Sequence, residues 1–143
     1  MTLNCAIIDD EPLALNLIKS YVLRTPFLQC TAAWSSAEEA LQHPDQRSQL
    51  HLVFLDIQMP GLTGLDFSRM IDTHRTRIVI TTAFSQYAIE GYKVNALDYL
   101  LKPVNPRQVL LTLKKNIHRD EIRQEAVQTG YRRAFGEIGM QMG

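Results

Sequence analysis

Short apolar runs recur along this chain, and each ends on a polar residue ahead of a stretch with helical periodicity. That alternation constrains the fold more than any other feature. Leu3-Asn4-Cys5-Ala6-Ile7-Ile8 reads as a first strand, stopped by Asp9-Asp10. Pro12 suits the first turn of a helix, in which Ala14, Leu17, Ile18, Tyr21 and Val22 form one apolar stripe. Residues 27–33 give a second strand. Ser35 or Ser36 caps a short second helix through Glu38, Glu39 and Leu41 that ends near Pro44. His51-Leu52-Val53-Phe54-Leu55 is the kind of apolar run expected of a central parallel strand, covered on both faces, and it stops at Asp56. Met59-Pro60-Gly61 and Gly64 mark a loop, and a third helix follows with Phe67, Met70 and Ile71 inward. Residues 77–81 form a fourth strand rich in β-branched residues. Ser85 caps a fourth helix through Tyr87, Ala88, Gly91 and Tyr92, residues 96–101 make a fifth strand, and a last helix after Pro106 carries Val109, Leu110, Leu113 and Ile117 on one stripe.

Five strands separated by five helices imply right-handed crossovers and an α/β fold built on a doubly wound parallel sheet. A length of 143 residues allows one domain with a short appendage. From about residue 119 the periodicity fades and Gly130, Gly136, Gly139 and Gly143 interrupt it, so residues 121–143 read as a linker or tail. Arg132 and Arg133 beside Tyr131 and Phe135 belong to that solvated segment, not to a nucleic-acid patch. Lys plus Arg and Asp plus Glu stand at 15 each, which gives no sign of binding to nucleic acid or a membrane surface by bulk charge. No apolar run approaches the ~20 residues needed to span a bilayer, and the acidic cluster after Ile8 is unlike a signal peptide, so a cytoplasmic location is expected. Cys5 and Cys30 lack metal-type spacing and read as reduced core residues. His43, His51, His74 and His118 are scattered and read as surface or structural residues.

The notable polar residues stand where strands end: Asp9 and Asp10 after the first, Asp56 after the third, Thr82 after the fourth, Lys102 after the fifth. In an open doubly wound sheet those ends converge on the crevice that binds ligands. Three carboxylates brought together raise one another's pKa unless a cation intervenes. An oxygen-only cluster suits a hard divalent ion, Mg²⁺ in a cell. Lys102 adds a compact positive charge and Thr82 a hydroxyl donor. A carboxylate nucleophile, a metal, a lysine and a hydroxyl are the parts of a phosphoryl-transfer site.

Ile7-Ile8-Asp9-Asp10-Glu11, Leu55-Asp56-Ile57-Gln58-Met59-Pro60-Gly61, Thr81-Thr82-Ala83 and Asp98-Tyr99-Leu100-Leu101-Lys102-Pro103 together resemble the bacterial response-regulator receiver domain of two-component systems, over residues 1–120. The resemblance implies a flavodoxin-like strand order 2-1-3-4-5. It makes Asp56 the acceptor of a phosphoryl group from a histidine kinase. Asp10 and Asp56 bind Mg²⁺ directly, Asp9 partly through water, and the backbone carbonyl of Gln58 is a further ligand. Thr82 becomes the switch hydroxyl, Tyr99 the aromatic that changes rotamer with it, and Lys102 the phosphate-binding base. A cis bond between Lys102 and Pro103 is also implied. Ala83-Phe84-Ser85-Gln86-Tyr87-Ala88-Ile89-Glu90-Gly91-Tyr92, followed by residues 95–103, is similar to the receivers of LytTR-type regulators, which carry a C-terminal DNA-binding domain. That output domain is absent here, so the chain is expected to be a truncated form, with a stand-alone phosphorelay or protein-interaction receiver as the alternative. DNA is then contacted only through an output domain outside this chain. A homodimer through the face of the fourth helix, fifth strand and fifth helix is a candidate assembly, and no enzymatic turnover beyond self-phosphorylation and dephosphorylation is expected.

Three other classes fit less well. A phospho-aspartate hydrolase wants its nucleophile on the first strand with another acid two residues on, whereas Asp9 is followed by Asp10, Glu11 and Pro12. A nucleotide or flavin module wants a glycine- or hydroxyl-rich loop there, and Asp9-Asp10-Glu11 is electrostatically the reverse. A degenerate dimerisation scaffold would not need Asp56, Thr82 and Lys102 intact. Helix capping is a structural role open to Asp10 or Glu11 beside the metal role of the acidic pair.

Overall fold

A computed structural model describes residues 3–73, 75–87 and 93–116. Five strands, β1 (Leu3–Ile8), β2 (Leu28–Trp34), β3 (Leu52–Asp56), β4 (Arg77–Thr82) and β5 (Asp98–Leu101), form one sheet in the order β2-β1-β3-β4-β5. Every neighbouring pair is parallel. The α-helices among the described residues are α1 (Pro12–Leu23), α2 (Ala37–Leu41), α3 (Pro44–Arg47), α4 (Gly64–Arg69) and α5 (Pro106–Asn116), with a 3₁₀ turn at Ser85–Tyr87.

Because strand side chains alternate between faces, the sheet divides its apolar residues into two layers. Cys5, Ile7, Phe54 and Val79 enter one layer, closed by Ile18 and Val22 of α1 and by Val109 and Leu113 of α5. Ala6, Ile8, Val53, Leu55, Ile78 and Ile80 enter the other, closed by Ala37 and Ala40 of α2 and by Phe67 of α4. Each Ile, Leu or Phe buried in this way contributes about 1.5–3 kcal/mol of transfer free energy. With both faces covered, the strand tips are the places where polar side chains can gather.

The element boundaries differ from the sequence reading in ways that have local causes. Pro44 does not merely end the second helix; it opens α3 at a first-turn position. Ser36, not Ser35, caps α2 by accepting from the Glu39 amide, while Glu39 reaches back to the Ser35 amide and hydroxyl. The fifth strand begins at Asp98, because Asn95 takes a left-handed conformation (φ 59°) that turns the chain ahead of it. Met70 is 58% exposed, since α4 stops at Arg69 and the helical period no longer aims it inward. Leu17 is 38% exposed, whereas Leu15 packs against the core in its place. Most of the predicted fourth helix (residues 88–92), Ile117 and the tail predicted at residues 121–143 lie outside the described residues.

Candidate functional site

Asp9 begins where β1 ends, and pairing with β2 fixes it: its amide donates to the Trp34 carbonyl at 3.1 Å. The side chain is buried. Its Oδ1 accepts the Glu11 amide at 2.9 Å, and its Oδ2 meets Lys102 Nζ at 2.9 Å. Glu11 occupies the N-cap of α1 but makes no side-chain cap bond. Asp9 therefore satisfies the turn into the helix, in place of the Asp10 or Glu11 cap expected from sequence. Asp10 stands exposed beside it.

Asp56 is the last residue of β3 and is 4% exposed. Its backbone is held by the ladder, in register with Thr81, and the next amide, of Ile57, donates to the Thr81 carbonyl at 3.3 Å. Oδ1 accepts the Gln58 amide at 3.3 Å and lies 3.5 Å from Lys102 Nζ. Carboxylate oxygens of Asp9, Asp10 and Asp56 all lie within 4.8 Å of one another. Burial first, then the Asp9 charge, push the Asp56 pKa up to about 7, with a hydrogen bond to Asp10 adding to the rise; Lys102 and the Gln58 amide work against it. Burial of Lys102 opposes its charge. The Asp9 hydrogen bond and the charges of Asp56, Asp9 and Glu11 outweigh that, so its pKa rises above the ordinary lysine value.

Lys102 follows β5 and is tied to β4 by its amide, 2.6 Å from the Thr82 carbonyl. The Lys102–Pro103 peptide bond is cis. Thr82 ends β4 and is buried; its hydroxyl accepts the Phe84 amide at 3.0 Å. Tyr99 lies on β5 in register with Ile80, two steps from the Thr82–Leu101 pair, and is 38% exposed. The fold thus gathers Asp9, Asp10, Asp56 and Lys102 into one pocket. Thr82 stands at its edge, engaged with its own loop, and Tyr99 faces outward. Cys5 and Cys30 are free thiols that face each other in register on β1 and β2, apart from this pocket.

Four residues with a part in this site were not singled out from sequence for that part. Gly64 packs against the backbone of the acidic strand tip: a Cβ there would fall onto the Asp56 carbonyl, 2.9 Å from its carbon and 3.0 Å from Ile57 Cα. Glu38 of α2 accepts the Leu62 amide at 2.6 Å, which clamps the loop after Asp56 and holds the Glu38 carboxyl below its usual pKa. In that loop Gly61 takes φ +74°. Tyr87 receives a hydrogen bond from the Gln58 side chain at 2.8 Å. Only the glycines carried a sequence signal, as loop markers.

A carboxylate whose charge is opposed first by burial and then by a neighbouring carboxylate, with one lysine opposite, fits a divalent cation: the donors are all oxygen, and added positive charge would return Asp56 to its ionised form. The same pocket can stabilise the oxygens of a phosphoryl group on Asp56.

Comparison with known proteins identifies the family of the chain. The family described as the response regulator receiver domain matches residues 5–114. The transcriptional regulatory protein BtsR of Salmonella typhi is 38% identical over 120 residues, covering 83% of this chain and 47% of that protein. The sensory transduction protein LytT of Bacillus cereus is 35% identical over 115 residues, covering 79% and 46%. The chain thus spans about half the length of the curated relatives it matches. The response regulatory domain of protein mrkE from Klebsiella pneumoniae superposes with a TM-score of 0.71 at 26% identity, covering 80% of this chain and 94% of that one. All four residues of the pocket fall inside the matched span, and the chain belongs to the response regulator receiver family.

Proposed function

We propose that this receiver accepts a phosphoryl group on Asp56 from the phosphohistidine of a histidine kinase, in a Mg²⁺-dependent reaction, and passes the change on to an output. The observation that carries this reading is the cluster itself. Three carboxylates lie within 4.8 Å at the tips of β1 and β3, with Lys102 Nζ 2.9 Å from Asp9 and 3.5 Å from Asp56.

An ionised Asp56 oxygen attacks phosphorus as the P–N bond to the donor imidazole breaks, and the electron pair leaves with the imidazole. The fold positions the nucleophile and supplies charge, which is most of what phosphoryl transfer asks of a protein. Asp9, Asp10 and Asp56, with the Gln58 backbone carbonyl, would hold the magnesium, which supplies positive charge to offset repulsion between carboxylate and phosphoryl oxygens. Lys102 is placed to take a phosphoryl oxygen as its contact with Asp56 loosens. Thr82 can turn its hydroxyl from the Phe84 amide toward the same oxygens, and Tyr99 then moves into the space that Thr82 leaves. That exchange shifts the population of two surface states. Exposed Phe84, Tyr99 and Leu101 put apolar area on the face that responds, which supports homodimerisation there. A groove of about 380 Å³ lined by Leu13, Leu17, Ala83, Pro103 and Val104 borders Lys102 and offers the kinase a resting place. By analogy with the transcriptional regulatory protein BtsR, the output is transcription, through the DNA-binding domain that the resemblance to LytTR-type regulators implies.

Intact mass after incubation with acetyl phosphate and Mg²⁺ tests the assignment. One phosphoryl group is expected on the native chain and none on Asp56→Asn. Labelling of that variant at the native rate refutes it.

A further inference from the structure

A path of contacts outside the strand ladder links Asp56 to Thr82. Gln58 stands two residues after Asp56 and donates its amide to Asp56 Oδ1 at 3.3 Å. Its side chain is exposed, yet Nε2 reaches across to the hydroxyl of Tyr87, 29 residues later, at 2.8 Å. The Tyr87 ring is half-buried against the layer that contains Ile57, Met59 and Ile80. The Phe84 ring meets Tyr87 edge-on, with centroids 6.2 Å apart and planes at 84°. The Phe84 amide donates in turn to the Thr82 hydroxyl at 3.0 Å. The path from Asp56 through Gln58, Tyr87 and Phe84 thus ends on the hydroxyl beside the pocket.

An exposed glutamine gives up rotamer freedom to keep one hydrogen bond, and in water such a bond is easily exchanged. It persists where the partner is already fixed. Tyr87 is fixed, by the core beneath it and by Phe84 at its edge. The tyrosine therefore positions the glutamine, not the reverse.

We propose that Tyr87 is a positioning residue of the phosphorylation site: its hydroxyl pins the Gln58 carboxamide at the rim of the Asp56 pocket and so shields the aspartyl phosphate from water. The proposal rests on the phosphoacceptor reading above and adds what sets the lifetime of the modified state. In the reaction that ends that state, a water oxygen bonds to phosphorus and the bond from phosphorus to the Asp56 oxygen breaks. Its electron pair returns to the carboxylate, inorganic phosphate leaves, and the proton from water passes to solvent or to the phosphate. The water must approach from the side away from the Asp56 oxygen, and a carboxamide pinned to Tyr87 two residues from Asp56 would hinder that approach more than one free in solvent. Freed from Tyr87, the same side chain can swing out into solvent.

The test uses the full chain, labelled with acetyl phosphate and Mg²⁺, freed of donor, and followed by intact mass. Tyr87→Phe keeps the ring and its packing and removes only the hydroxyl. It is expected to lose its phosphoryl group about five-fold faster than the native chain, the effect of one hydrogen bond, with the rate of uptake unchanged. Gln58→Ala is expected to lose it faster as well, and the double variant no faster than Gln58→Ala, because the tyrosine acts through the glutamine. Equal lifetimes for Tyr87→Phe and the native chain overturn the proposal. So do additive effects in the double variant, or equal changes in uptake and loss, which indicate a merely structural tyrosine. Absence of label at Asp56 in the native chain overturns the phosphoacceptor reading and this proposal with it, an outcome distinct from the other three.

Discussion

Asp56 is a buried acid whose charge the metal-free fold opposes, so neutralising it should stabilise the protein when no divalent ion is present. Its pKa stands at about 7 against an ordinary 3.8, a difference of about 3 units. At about 1.4 kcal/mol per unit, ionising Asp56 in the folded state costs about 4 kcal/mol. Because the folded value lies above the unfolded one, the native state holds a proton that the unfolded chain releases. The stability linked to that proton is fully present below about pH 4 and is lost by about pH 7. Asparagine keeps the shape and the acceptor for the Gln58 amide, but gives up the 3.5 Å contact with Lys102. The net gain for Asp56→Asn at about pH 8 is then about 2 kcal/mol, or about 5–10 °C in melting temperature for a chain of this size. Magnesium should erase much of that gain: at ten times its dissociation constant a ligand adds about 1.4 kcal/mol to the state that binds it, and the native chain binds it better than the variant. Thermal melts by circular dichroism, in EDTA and in MgCl₂, at about pH 5 and about pH 8, read all of these effects. A variant no more stable than the native chain at the higher pH in EDTA, or an advantage equal at both pH values, refutes the reasoning.

Two further perturbations probe the same pocket from its backbone and from its cation. Gly64→Ala drives a methyl into backbone atoms of Asp56 and Ile57, which no side-chain rotation relieves. A loss of about 1–3 kcal/mol is expected in denaturant unfolding, together with slower labelling by acetyl phosphate; native values for both would refute the close packing. Lys102→Met keeps an apolar stem and removes the charge that lowers the Asp56 pKa. Labelling should slow by about 100-fold and its pH profile should move to higher pH, and a profile that stays in place would show that Lys102 does not act on Asp56.

The parts of this molecule that were legible in sequence are those in which one residue's environment follows from its place along a strand. Once β3 reads as a doubly covered strand, Asp56 must lie at its tip, and the same holds for Asp9, Thr82 and Lys102 at the ends of β1, β4 and β5. Parallel order then brings the tips together without any need to know side-chain conformations. Residues that depend on a turn or on a long side chain were not legible in this way. Met70 continues the helical pattern in sequence but escapes it in space, because α4 ends at Arg69. Glu38 is an unremarkable acidic residue in the first turn of α2 until the loop after Asp56 folds back onto it. Gly64 reads as a flexible loop residue, although its function is to leave room for the carbonyl of Asp56.

That division separates the chemistry from its timing. The strong interactions of the pocket, between Lys102 and two carboxylates and among the three acids, are set by the sheet and centre on the buried Asp9 and Asp56. The contacts at the rim, Gln58 with Tyr87 and Phe84 with Thr82, are individual hydrogen bonds that engage loop residues, each worth about 1 kcal/mol. Interactions of that size cannot create or abolish the site, but about 1.4 kcal/mol at a barrier changes a rate tenfold. A rim substitution is therefore expected to alter how long a phosphorylated state lasts while leaving the identity of the acceptor untouched, whereas loss of Asp56 or Lys102 at a strand tip is expected to abolish or slow labelling itself.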